Sequence, residues 1–235
     1  MSNLDIQRMS DAVEQIRGQI ADAAKQSGRQ AEDVLLCAVC KTQPSDIVLA
    51  SAGSPIDLFG ENRMQELVIH QQEGAFGGKP CHFIGHLQTN KVRRVVGQVE
   101  MIQSVNSPRL LEAISREARR QDIVQDILLE VNIGEEATKT GASEEEVFPL
   151  IDQALASEGI RLRGLMAIPP AFDNSDQSRG YFAAMRRLLE SARKHAGGDA
   201  VLDTLSMGMT DSYIVAILEG STLVRIGRAI YGERQ

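Results

Sequence analysis

Residues 5 to 26 set Ile6, Met9, Val13, Ile16 and Ile20 at steps of three and four, the spacing that lines one face of an α-helix. Beyond this amphipathic opening the pattern changes to short apolar or β-branched runs. They are LLCAVC before Lys41, IDLFG before Glu61, CHFIG from Cys81 and VEMIQSV from Val99. The second half adds ILLEVNI from Ile127, LRGLMAI from Leu162, LDTLSMG from Leu202 and LVRIG from Leu223, which makes eight candidate strands. Helical patterns with recognisable ends lie between them. Ser107-Pro108 opens one that turns Leu110, Leu111, Ile114 and Ala118 inward, with proline at the first helical position. Ser143 and Glu146 form a capping-box pair ahead of Val147, Leu150, Ile151, Ala154 and Leu155, and Phe182, Met185, Leu188, Leu189 and Ala192 mark a further helix.

Alternating strands and helices with apolar strands imply a parallel sheet covered by helices, because a parallel crossover needs a helix to bring the chain back. Eight such units close into a barrel. From Leu35 to Gly227 is 193 residues, about 24 per unit, which is near the lower limit for a (β/α)8 barrel and requires short loops. The rival is an open doubly wound sheet, but no G-x-G-x-x-G follows an early strand. No linker or low-complexity segment divides the chain, so residues 1–235 are expected to form a single TIM-barrel domain preceded by the N-terminal helix.

Composition narrows the function. With 43% hydrophobic and 24% charged residues the chain has material for a sizeable core, and wholesale disorder is excluded. The net charge is −7 and no dense basic stretch occurs, which argues against a nucleic-acid surface or a polybasic membrane anchor. Cys37, Cys40 and Cys81 are an odd number in a chain large enough to fold without cross-links, so a reducing cytoplasm is the expected home. No apolar run reaches the length of a membrane span, and the N-terminus, MSNLDIQRMSDAVEQIRGQ, mixes charges into its apolar positions, unlike a signal peptide.

A barrel gathers its chemistry at the C-terminal ends of its strands. Those ends supply Lys41, Asn62, His86, Ser104 with Asn106, Asn132, Met166, Ser206 to Met209, Arg225 and Gly227. Lys41 closes an otherwise apolar run and is followed by Thr-Gln-Pro, with Pro44 placed to start a helix. A lysine held at a barrel mouth near another cation has a lowered pKa, and its neutral amine can attack an aldehyde to form a Schiff base. By spacing alone, a solvated lysine closing a strand is the commoner case. Ser206-Met207-Gly208 and Gly227 follow the last two strands, where barrels of this class often hold a phosphate on backbone N–H groups. Each glycine taken separately reads as a turn residue. Arg225 shares the face of Gly227 and is either a charge at the mouth or half of a structural ion pair.

Other residues have plainer readings. Cys37 and Cys40 fall on opposite faces of a strand with no second pair, and are expected to pack. His70 and His195 lie in helical or loop patterns without matching partners, and no H-E-x-x-H occurs, so neither a hydrolytic triad nor a zinc site is expected. His82, inside a strand, reads as a satisfied buried histidine, and Met166, Met207 and Met209 as core filler before ligands.

Together these residues resemble the pyridoxal phosphate (PLP) homeostasis proteins, the YggS/PROSC family, nearly end to end. The resemblance rests on AVCKTQP around Lys41, FGENRMQE from Phe59, HFIGHLQTNK from His82, KTG from Lys139, RGLMAIPP from Arg163, LSMGMTDSY from Leu205 and GSTLVRIGRAIYG from Gly220. It implies a barrel similar to the N-terminal domain of alanine racemases, with PLP as an internal aldimine on Lys41. It further implies Asn62 beside the ring, Ser206 and the backbone around Gly227 on the phosphate, and Arg225 facing the pyridine nitrogen. Many members have a small hydroxyl residue where this chain has Arg228, so that phosphate contact would fall to the backbone or to the arginine charge. The expected cofactor-binding set is Lys41, Asn62, Met166, Ser206, Met207, Arg225, Gly227 and Arg228, with no metal.

The function implied is intracellular PLP homeostasis without catalytic turnover, by a monomer whose ligand is PLP and whose recipients are PLP-dependent apo-enzymes. An arginine at the pyridine nitrogen keeps it unprotonated and makes the ring a poor electron sink. Only eight residues follow Gly227, too few for the second domain that supplies the opposite-face base in two-domain racemases. The alternatives are a low-activity PLP-dependent amino-acid racemase using Lys41 with Tyr213 or His86, and a cofactor-free barrel aldolase using Lys41 on a sugar phosphate.

Overall fold

The computed structural model describes residues 3–134, 140–170, 175–198 and 200–232; Lys139 of the KTG motif lies outside them. The chain opens with α1 (Asn3–Gln26) and runs through β1 (Leu35–Val39), α2 (Ser45–Ser51), β2 (Leu58–Glu61), α3 (Met64–Gln72), β3 (Cys81–Phe83) and β4 (Met101–Val105). It continues with α4 (Pro108–Arg120), β5 (Gln125–Val131), α5 (Glu144–Ala156), β6 (Ile160–Ala167) and α6 (Arg179–Ala196). The last units are β7 (Thr204–Ser206), α7 (Tyr213–Leu218), β8 (Leu223–Ile226) and α8 (Arg228–Tyr231). Each strand pairs in parallel with its neighbour in sequence, and β8 closes on β1 with Cys37 opposite Arg225, giving the expected TIM barrel.

The local signals explain the elements. Ser107 Oγ accepts from the Leu110 N–H with Pro108 in the first turn of α4, and Ser143 and Glu146 cap α5 reciprocally. Met9, Val13, Ile16 and Ile20 are buried along α1, each contributing about 1.5–3 kcal/mol over exposure, whereas Ile6 is 37% exposed and the packed face begins one turn later. The connection from β3 to β4 has only a 3-10 segment over Thr89–Arg94 where a full helix was expected. Val92, Val95 and Val96 are β-branched and disfavour helix, and Gly97 turns the chain at φ +75°.

Strand alternation separates two cores. Leu36, Ala38 and Cys40 face the main core between barrel and helices, while Cys37 and Val39 join Leu58, Ile84 and Leu223 in an inner cluster. Met101, Leu128 and Met166 form a second inner cluster. Among the described residues, no helix is long and apolar enough to cross a membrane.

Candidate functional site

A cavity of about 590 Å³ opens at the C-terminal mouth of the barrel, within the range that holds small cofactors. Lys41, Asn62, Arg225, Gly227 and Arg228 line it together with Met209, although they come from opposite ends of the chain. Met166, Ser206 and Met207 do not line it. Met166 and Met207 are fully buried in the inner cluster and in the main core respectively, and Ser206 is buried behind Arg225. His86 is exposed and, like Ser104, Asn106 and Asn132, is not part of the lining.

Hydrogen bonding inside the barrel fixes Arg225. Its Nη1 donates to Ser206 Oγ at 2.5 Å and its Nη2 donates to the Ala167 carbonyl at 3.0 Å. The side chain is buried, and no ion pair with a described residue engages it, so its partners are neutral rather than the carboxylate of a structural pair. Burial lowers its pKa to about 10, opposed by Cys37 and Glu130, and it remains a cation at neutral pH. Because a guanidinium only donates, Ser206 accepts from it and gives its one hydrogen to Gln103 Oε1 at 2.6 Å. The Gln103 amide nitrogen therefore faces His82 and donates to Nδ1 at 2.8 Å. The Ser206 hydroxyl, expected on the phosphate, is occupied in this chain of donors and acceptors.

The mouth is shaped by backbone. Gly85 carries no side chain because a Cβ there would lie 2.0 Å from the Asn62 carbonyl oxygen, so the loops after β2 and β3 can approach. Asn62 is thereby held at the cavity with its Oδ1 buried and without a hydrogen-bond partner among the described residues. Gly208, at φ +94°, turns the chain out of β7 into the loop carrying Asp211, whose carboxylate pairs with Arg228 across the rim. Gly227 caps α8, and the first N–H groups of that helix have no intrahelical acceptor.

Lys41 stands in a turn beyond the end of β1 rather than on the strand itself. Thr42 follows at φ +64°, a region that a β-branched residue rarely adopts. Its N–H donates to Glu66 Oε2 at 3.0 Å, and the Gln43 carbonyl accepts from His70 Nε2 at 3.0 Å.

His70, expected to lack a partner, is buried with one, because α3 packs its inner face against β2 and the turn that follows β1. A carbonyl only accepts, so Nε2 bears a hydrogen, and Nδ1 then shares one proton with Glu61 Oε1 at 2.6 Å. Cys40 donates its S–H to the same oxygen at 3.0 Å, which gives this cysteine a polar role beyond packing. Burial raises the Glu61 pKa against the hydrogen bonds from Cys40 and His70, and burial raises that of the Cys40 thiol. The three donor atoms lie within 4.8 Å of one another, a spacing open to a metal, but these short hydrogen bonds already close the gaps between them. No sequence motif marks this group; the signal was three polar residues in segments otherwise reading as core.

Comparison with known proteins agrees with this fold. The family model described as "Alanine racemase, N-terminal domain" matches residues 13–235. The pyridoxal phosphate homeostasis protein of Aquifex aeolicus (strain VF5) is 35% identical over 229 residues, covering 97% of this chain and 98% of the relative. PipY of Synechococcus elongatus PCC7942, solved with PLP bound, superposes with a TM-score of 0.80 at 29% identity over 91% of this chain and 100% of PipY. Alanine racemase from Corynebacterium glutamicum shares the fold, with a TM-score of 0.68 at 17% identity over 96% of this chain and 62% of the enzyme. The barrel and its mouth thus define an alanine racemase N-terminal-type domain. Within that class the chain belongs to the pyridoxal phosphate homeostasis protein family.

Proposed function

We propose that this chain is a cytoplasmic, monomeric PLP-binding homeostasis protein that holds PLP as a Schiff base on Lys41 and passes it to apo-enzymes without catalytic turnover. The observation that carries the reading is one cavity joining the Lys41 amine, a buried Asn62 oxygen with no hydrogen-bond partner among the described residues and the buried Arg225 cation. A phosphorylated aromatic aldehyde fits these groups. Lys41 would hold the aldehyde carbon and Asn62 would lie beside the ring. Arg225 would face the ring nitrogen, and the first amides of α8 with Arg228 would take the phosphate. PLP, when bound, supplies an electron-withdrawing ring and an aldehyde that captures amines. Ser206 acts from behind the wall by orienting Arg225, and Met166 and Met207 support the lining from the packed layers. PipY with PLP bound, a relative of the same barrel, supports this assignment.

The racemase alternative needs a second base at the cavity. The Tyr213 hydroxyl instead bonds Gln19 on α1, and His86 lies outside the lining, so neither observation favours it. The test is purified protein given PLP, reduced with borohydride and digested. Label on Lys41, its loss in Lys41→Ala, and faster delivery to an apo-enzyme than from free PLP are expected. Label on another lysine, or exchange of amino-acid α-protons at an enzymatic rate, would overturn the proposal.

A further inference from the structure

Helix α3 touches the Lys41 turn at two points. Glu66 and His70 are four residues apart and so share one face of the helix. The Glu66 carboxylate accepts from the Thr42 N–H at 3.0 Å, and His70 Nε2 donates to the Gln43 carbonyl at 3.0 Å. Thr42, which makes the first contact through its own N–H and joins Lys41 to the second, is at φ +64°. A left-handed β-branched residue persists only where its surroundings fix it. His70 is itself fixed from behind by Glu61, which Cys40 also engages, and Glu66 lies 3.6 Å from Arg63, the residue that precedes the helix. The turn is thus held from outside the barrel, by an element that does not line the cavity.

We infer that Glu66 and His70 are positioning residues that clamp the Lys41 turn, so that the lysine amine meets the aldehyde of an incoming phosphorylated aldehyde. The inference rests on the Lys41 reading above. Capture forms a carbon–nitrogen double bond from the neutral amine and releases the aldehyde oxygen as water, which requires the amine at the carbonyl carbon. Binding of the ring and phosphate places no such demand on Lys41. The clamp therefore acts on capture and leaves non-covalent binding alone.

Two ligands separate these effects: PLP, and pyridoxine 5′-phosphate, whose alcohol cannot be captured. Glu66→Ala is expected to weaken PLP capture at Lys41 about tenfold, the effect of losing one charge-assisted hydrogen bond, with pyridoxine 5′-phosphate affinity changed less than about twofold. Glu66→Gln keeps an acceptor oxygen and His70→Gln keeps a donor at the Nε2 position, so both should stay within about threefold of the parent. Adding Thr42→Gly to Glu66→Ala should recover part of the loss, because glycine adopts positive φ unaided. Glu66 is partly exposed, so its removal does not threaten the fold as removal of buried His70 would. Unchanged capture in Glu66→Ala, or equal weakening of both ligands, would overturn the clamp. If the parent itself fails to capture PLP at Lys41, the functional reading falls instead. Exchange of the Thr42 amide without cofactor then decides the clamp: acceleration in Glu66→Ala supports it and an unchanged rate refutes it.

Discussion

Protonating His82 should cost this protein stability in a defined pH window. The chain of hydrogen bonds from Arg225 has one direction, since each link from guanidinium to hydroxyl to amide fixes the next, and it ends on His82 Nδ1 as an acceptor. A proton on Nδ1 would set it against the Gln103 amide N–H, donor to donor. The ring is also buried, and burial lowers its pKa from 6.5 to about 4, opposed by the charge of Asp126. In the unfolded chain the same ring takes up a proton near 6.5, so between the two values the unfolded state binds more protons. Stability is therefore complete above about pH 6.5 and is lost as the pH falls towards 4, by about 3 kcal/mol at about 1.36 kcal/mol per unit. Urea unfolding of the parent and of His82→Gln, followed from pH 7.5 to 4, isolates this ring. Glutamine keeps an acceptor for Gln103 and removes the titration. The difference between the two curves should rise with pH across the window. A flat difference would mean that His82 is not held as the neutral acceptor and that the direction assigned to the whole chain is wrong.

Three further outcomes follow from the same structure. Ser206→Ala leaves a buried guanidinium N–H and the Gln103 oxygen unpaired, at a cost of about 3 kcal/mol, which is roughly 6–12 °C in melting temperature for a chain of this size; a shift under about 2 °C would contradict the arrangement. Gly85→Ala drives a Cβ to 2.0 Å from the Asn62 carbonyl oxygen, so a loss of about 3 kcal/mol or more is expected in chemical denaturation, and a variant as stable as the parent would show that the two loops yield freely. Glu117 receives hydrogen bonds from Arg120 and Gln121 that hold its carboxyl at about 2 instead of 4.5; its contribution is present above 4.5 and lost as the pH falls towards 2, and Glu117→Gln should flatten the acid limb of the stability curve there.

The barrel was legible because eight apolar runs alternate with capped helical patterns, and a parallel sheet buried on both faces has no other economical covering. Strand ends then located Lys41, Asn62, Arg225 and Gly227, since the position of a residue along its strand sets its height in the barrel. What the pattern did not resolve was direction. Ser206 pairs with Leu223, two residues before Arg225 on the same face, so side-chain parity could have placed its hydroxyl under the arginine. The His70, Glu61 and Gln43 contact was beyond such reasoning. It joins an α3 side chain to the end of β2 and to the turn after β1, whose approach depends on helix packing against the strands, which no local spacing encodes.

On the proposed reading, Arg225 also bears on why this site would hold PLP without turnover. A buried cation whose partners are a hydroxyl and a carbonyl is incompletely compensated, because removing it from water costs several kcal/mol that a carboxylate would ordinarily offset. An acceptor with a lone pair in the cavity relieves that deficit, and the unprotonated ring nitrogen of PLP is such an acceptor on the proposed reading. The same pairing disfavours a proton on that nitrogen, since it would face a second cation. On that reading binding strength and electronic restraint come from one residue, which is held by its donation to the Ala167 carbonyl and to the Ser206 hydroxyl, the latter continued through Gln103 to His82. A carboxylate in its place would pair with a protonated ring nitrogen and make the ring a stronger electron sink, favouring turnover over storage.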